Sequence, residues 1–134
     1  MIVDTSALLA ILFDERGASE LAQSIVAARE ASISTASYVE AAAVIDRRGD
    51  PVASRRLDEL IDTLRITLIP LDEHQARLAR GAYRDFGRGS RHPARLNLGD
   101  VFAYGLAKAT DRPLLFVGND FVHTDLRPAT SGPG

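Results

Sequence analysis

Four carboxylates attract attention by where they fall in the chain. Asp4 interrupts the short apolar run Met1-Ile2-Val3, after which apolar residues resume at a helical spacing through Leu12. Glu40 lies in the first turns of a helix expected from about Ser37. Asp100 opens an apolar segment in Leu96-Asn97-Leu98-Gly99-Asp100, and Asp120 follows Leu114-Leu115-Phe116-Val117. Asp125, five residues further on, is placed to join them. Each acid falls where one element ends and the next begins. In open parallel sheets, ligands bind just outside the carboxyl ends of the strands. Carboxylates gathered at such an edge repel one another unless protons or cations neutralise them. A ligand set made only of oxygen selects hard divalent ions, Mg²⁺ or Mn²⁺.

Each acid also has an ordinary explanation. Asp4, Thr5 and Ser6 are all good helix caps. Ser37-x-x-Glu40 has capping-box spacing. Asp100 suits the positive end of a helix dipole, and Asn119-Asp120 suits a turn.

The elements that must carry these residues are legible as alternating strands and helices. Residues 2–5 read as a strand and 6–13 as a short apolar helix closed by Gly17. Ala18, Leu21, Ala22, Ile25 and Val26 then share one helical face. A short strand is expected around Ile33, and the helix after it turns Tyr38, Ala41, Ala42 and Ile45 inward. Gly49-Asp50-Pro51 ends that helix and starts another, whose stripe is Leu57, Leu60, Ile61 and Leu64. Residues 66–71 read as a strand. Asp72 starts a helix with Ala76, Ala79, Tyr83 and Phe86 inward, and residues 87–93 form a loop. Residues 99–110 are apolar on nearly every side and read as a buried helix. Residues 114–117 read as the clearest strand. The implied fold is α/β: an α/β/α sandwich around a central parallel sheet of four to five strands. It forms one domain over residues 1–127, with a flexible tail at 128–134.

The bulk numbers agree with a single globular core. The chain has 134 residues, 46% of them hydrophobic, and no cysteine, which excludes disulfides and thiolate metal sites. No apolar run approaches the roughly 20 residues that span a bilayer, so a cytoplasmic protein without membrane contact is expected. Net charge is −2, yet 15 of the 16 basic residues are arginine, Lys108 being the exception. Arg77, Arg80, Arg84, Arg88, Arg91, His92 and Arg95 lie in one segment with Asp85 as its only internal acid. That segment suits a phosphate backbone, the acidic residues of a partner protein, or simply solvent. Thr5 and Ser6 are further candidates to contact a phosphate. The apolar excess Leu8, Leu9, Ile11, Leu12 and Phe13 suits either the core or an interface.

The motifs Ile2-Val3-Asp4-Thr5-Ser6-Ala7, mid-chain Glu40, Leu98-Gly99-Asp100-Val101-Phe102-Ala103-Tyr104, and Leu115-Phe116-Val117-Gly118-Asn119-Asp120-Phe121 with Thr124-Asp125 resemble a PIN domain. The nearer likeness is to the VapC toxins of type II toxin–antitoxin systems, and it covers nearly the whole chain. The resemblance implies a ribonuclease that uses one or two Mg²⁺ or Mn²⁺ ions. It implies homodimers, larger toxin–antitoxin assemblies, and a VapB-like antitoxin as inhibitor. By that resemblance Asp4, Glu40, Asp100 and Asp120 form the catalytic cluster. Asp4 and Asp100 are then the primary metal ligands, with Glu40, Asp120 and Asp125 secondary. Arg84, Arg88, Arg91 and Arg95, with Thr5 and Ser6, are the residues to hold RNA. Two other readings compete. A receiver-like phospho-acceptor also gathers acids and Mg²⁺ but needs a lysine after a late strand, and Lys108 falls inside a helix. A non-catalytic RNA- or antitoxin-binding module would keep the fold and lose an acid.

Overall fold

The structure, a computed structural model, describes residues 1–129. Its element order is β1 (Ile2–Val3), α1 (Thr5–Leu12), α2 (Ala18–Ala27), β2 (Ala31–Ser34), α3 (Thr35–Asp46), α4 (Pro51–Thr63), β3 (Ile66–Ile69), α5 (Glu73–Phe86), α6 (Asp100–Thr110) and β4 (Leu114–Leu115). The four strands form one parallel sheet in the order β3-β2-β1-β4. β1 is central, with Ile2 opposite Ser32 on one side and Leu114 on the other.

Alternation along the strands divides the apolar residues between two faces. Val3, Ile33 and Leu115 pack with Leu8, Ile45, Leu57 and Ile61 of α1, α3 and α4. Ile2 and Leu114 pack with Ala79, Ala82, Val101, Ala103 and Leu106 of α5 and α6. The sheet therefore lies between two helical layers, as the alternation of elements predicts.

Several boundaries differ from the sequence reading. β1 stops at Val3 rather than residue 5, because Asp4 caps α1. β3 ends at Ile69 and β4 at Leu115, so the expected strands 66–71 and 114–117 are shorter. α3 starts at Thr35, not near Ser37, because the Ser34 hydroxyl accepts the Ala36 N–H at 3.2 Å. The stripe Leu8–Phe13 goes mostly into the core: Leu8 and Leu12 are buried, and Phe13 lies beneath the Arg48 guanidinium at 3.8 Å. Leu114 N–H donates to Arg127 C=O, and Ala129 N–H donates to Leu114 C=O. Pro128 and Ala129, assigned to the tail from sequence, thus run beside β4; residues 130–134 of that expected tail lie outside the described residues.

The face of α5 is only partly as expected: Ala79 and Phe86 do pack inward. Gln75, Ala79 and Ala82 are buried, whereas Ala76 and Tyr83 are exposed. Small residues decide this. A Cβ on Gly105 of α6 would stand 2.7 Å from the Gln75 carbonyl, so the two helices cross too closely for a large side chain between them. Tyr83 is left at the mouth of an apolar groove of about 430 Å³ beside Leu98 and Phe102.

Candidate active site

The carboxyl ends of the strands hold the site. Asp4 directly follows β1, and Asp100 begins α6, which packs beneath the same sheet. Both are almost fully buried, at 3% and 8% exposure. Each is held by its own neighbourhood. Ser6 donates twice to Asp4 Oδ2, from its N–H at 3.0 Å and its hydroxyl at 2.6 Å. The Ser6 oxygen in turn accepts the Val117 N–H at 3.0 Å, tying α1 to the segment after β4. Asp100 Oδ2 accepts the Asn97 N–H, and Asn97 Oδ1 accepts the Asp100 N–H, both at 2.9 Å. This reciprocal pair is of the capping-box kind.

Electrostatics couple the acids by repulsion. Burial pushes the Asp4 carboxyl up to about 6 against the Ser6 hydrogen bonds, and the charge of Glu40 adds to the rise. Burial pushes Asp100 up to about 7, opposed by the Asn97 N–H and reinforced by the charges of Asp4, Asp120 and Glu40. Four acids from four separate stretches of chain therefore feel one another. Among the described residues, no three of them make a ready-formed cation cage.

The other predicted residues divide. Glu40 is not the partner of a Ser37 cap. Ser34 caps the helix, the Ser37 hydroxyl is buried without a partner among the described residues, and the Glu40 carboxylate lies against Gly99. Asp120 is exposed on a turn, with the buried Phe121 beside it. Asp125 faces elsewhere: one oxygen accepts the Tyr104 hydroxyl and the other the Lys108 ammonium, both at 2.8 Å. Burial pushes its carboxyl up, but the two bonds together with the Lys108 charge hold it below the ordinary range. The Thr5 hydroxyl is committed to the Ser37 carbonyl at 3.1 Å, and that of Ser6 to Asp4, so neither stands free for a phosphate.

In the basic segment, Arg77 pairs with Glu73 and Arg84 with Asp85. Arg88, Arg91 and Arg95 are exposed and make no ion pair among the described residues. His92, which reads from sequence as a solvated loop residue, fixes the loop instead. Its Nδ1 accepts the Ala94 N–H at 3.1 Å, and its ring stands edge-on to Phe86 at 4.8 Å. Sequence reasoning missed Asn97, although Asn97-x-x-Asp100 has the spacing it weighed at Ser37.

A family profile described as PIN domain matches residues 1–126. The chain belongs to the PIN-domain family. Within it, Ribonuclease VapC42 of Mycobacterium tuberculosis is 51% identical over 129 residues, covering 96% of this chain and 98% of the relative. That likeness places the chain among the VapC branch of PIN domains. Two solved structures share the fold. One is Mycobacterium tuberculosis VapC20, described as a sarcin-ricin loop cleaving toxin, with a TM-score of 0.69 at 15% identity over 95% of this chain and 98% of the other. The second is a toxin–antitoxin complex from Klebsiella pneumoniae, with a TM-score of 0.67 at 18% identity and 92% coverage of both chains. The receiver-like alternative falls with this assignment. Lys108 lies eight residues along α6 from Asp100, about 12 Å at helical rise.

Proposed function

We propose that this PIN-domain chain is a metal-dependent endoribonuclease and the toxin of a type II pair, restrained by a VapB-like antitoxin. The observation that carries the reading is the meeting of Asp4 and Asp100, buried, mutually repelling and flanked by Glu40 and Asp120. Two buried carboxylates with raised pKa values and an all-oxygen surround fit a hard divalent cation, Mg²⁺ or Mn²⁺. Asp4 and Asp100 would hold it. A bound divalent cation supplies charge neutralisation at the scissile phosphate and acidifies water.

The chain's own groups do the remaining work. Ser6 and Asn97 each engage Oδ2 of an acid and leave its second oxygen outside those bonds. Glu40 and Asp120, neither with a hydrogen bond on its carboxylate among the described residues, are the two candidates to accept the proton of an attacking water. Arg88, Arg91 and Arg95 neutralise the approaching strand, as a cluster of acids requires. Asp120 stands at the rim. The name of the VapC42 relative supports the reaction class, and the Klebsiella complex supports an antitoxin partner. A homodimer has a surface available in the exposed Tyr83, Leu98 and half-buried Phe102 beside α5 and α6. No helix among the described residues is long and apolar enough to cross a membrane, and cytoplasmic action is part of the proposal.

The test is cleavage of total RNA with Mn²⁺, comparing wild type with Asp4→Asn and Asp100→Asn. Loss by at least about 100-fold in both variants is expected, since even supporting groups around a metal are worth 10–100-fold. Cleavage unchanged by either substitution would contradict the proposal, and cleavage absent from wild type would favour a non-catalytic binding module.

A further inference from the structure

Gly99, the residue before Asp100, has right-handed helical backbone, with φ −64 and ψ −36. Any L-residue adopts that conformation freely, so the backbone angles do not require a glycine. Gly99 caps α6, a position where glycine is preferred to alanine but serine or asparagine serve as well or better. Its neighbour gives the reason for glycine alone. A Cβ built at residue 99 would overlap the carboxylate of Glu40, with the farther oxygen Oε1 still only 2.7 Å away. Glu40 reaches this point from the second turn of α3. Among the described residues no donor holds its carboxylate, so space rather than hydrogen bonding sets where it rests.

We propose that Gly99 is a positioning residue: the missing side chain is the seat of the Glu40 carboxylate beside Asp100. The inference rests on the reading that these acids serve RNA cleavage. The overlapping group is the far end of a long, flexible side chain. A methyl group at residue 99 therefore displaces Glu40 and leaves the backbone of α6 in place. The effect falls on the site and spares the fold.

The experiment compares wild type, Gly99→Ala, Glu40→Ala and the double variant, each full-length. It reads the thermal midpoint without metal, Mn²⁺ affinity by titration, and RNA cleavage with Mn²⁺. The midpoint of Gly99→Ala is expected to stay within about 5 °C of that of wild type. Its cleavage falls about 100-fold, the loss that a misplacement of about 1 Å brings. Mn²⁺ affinity falls about tenfold in Glu40→Ala and equally in Gly99→Ala, on the scale of groups that support a metal site. The double variant is no worse than Glu40→Ala alone, because both substitutions remove the same group from the same place. Wild-type cleavage and Mn²⁺ affinity in Gly99→Ala would overturn the proposal. Additive losses in the double variant would do the same. So would a midpoint lowered by about 5 °C or more, a shift that places the clash on the fold. If wild type binds Mn²⁺ with these couplings but leaves RNA intact, the seat stands and the ribonuclease reading fails.

Discussion

At the scale of single residues, Asp4 and Asp100 each carry a structural role and, in the proposed function, a place in the site. Asp4 caps α1 and Asp100 reciprocates the hydrogen bond of Asn97, yet both are buried at the strand ends with raised pKa values. From sequence, capping and catalysis look like rival explanations; in the fold the capping bonds engage Oδ2 of each acid and leave the other oxygen outside them, so the two readings are compatible. Asn97→Ala removes the acceptor for the Asp100 N–H and loosens the segment that aims Asp100. Mn²⁺ affinity is expected to fall about 10-fold, with Asn97→Ser recovering most of it because serine also accepts from a helix-end N–H; titration of the three proteins measures this. Asp4, Asp100 and Glu40 were legible because acids at element junctions are countable in a sequence. The role of Gly99 was not, since nothing local distinguishes a glycine that makes room for a residue 59 positions away. The partners of Asp125 were hidden for a similar reason: read from sequence as secondary to the cluster, it pairs with Tyr104 and Lys108, one helical turn apart on α6.

At the scale of elements, periodicity located all six helices and half of the inward face of α5: Ala79 and Phe86 pack inward, Ala76 and Tyr83 do not. Apolar size pointed to Tyr83 inward. The close crossing at Gly105 sets the Gln75 backbone and the Ala79 methyl against α6 and leaves no room for a larger side chain. Long-range packing of this kind overrides the apolar stripe, and one sequence does not record it. The loop after α5 is more ordered than its glycines suggest. Arg88 N–H donates to Leu96 C=O and Leu96 N–H to Phe86 C=O, and both Ala94 and Leu96 are buried. Its exposed arginines thus project from a fixed loop. Arg91 and Arg95 hold left-handed backbone, φ 65 and 51, at a cost non-glycine residues rarely bear. Replacing Arg88 with alanine and Arg91 and Arg95 with glycine is expected to weaken single-stranded RNA binding. The slope of log affinity against log salt should shrink by about 2, three contacts at roughly 0.7 each. Binding isotherms from low to high salt measure this, and an unchanged slope would assign the segment to solvent or to a protein partner.

At the scale of the whole molecule, the fold holds unfavourable charge at its centre. The folded-state values of Asp4 and Asp100, about 6 and about 7, exceed the ordinary 3.8. Between roughly pH 4 and 7 the folded chain keeps protons that the unfolded chain has released. Unfolding free energy then falls as pH rises through that window, and the full contribution is present only below it. Asp125 works in the opposite direction, so the comparison must be internal. Without metal, Asp100→Asn is expected to gain stability over wild type as pH rises from 4 to 7. Saturating Mn²⁺ at pH 7 should raise the wild-type midpoint and leave that of Asp100→Asn nearly unchanged, because a ligand stabilises only the state that binds it. Denaturation curves at several pH values, with and without Mn²⁺, measure both effects. The most direct test locates the ion itself, by anomalous diffraction from crystals soaked in manganese. A peak about 2.2 Å from carboxylate oxygens of both Asp4 and Asp100 is expected, the range of hard-cation bonds to oxygen. Manganese bound elsewhere, with these two carboxylates turned apart, would contradict the account.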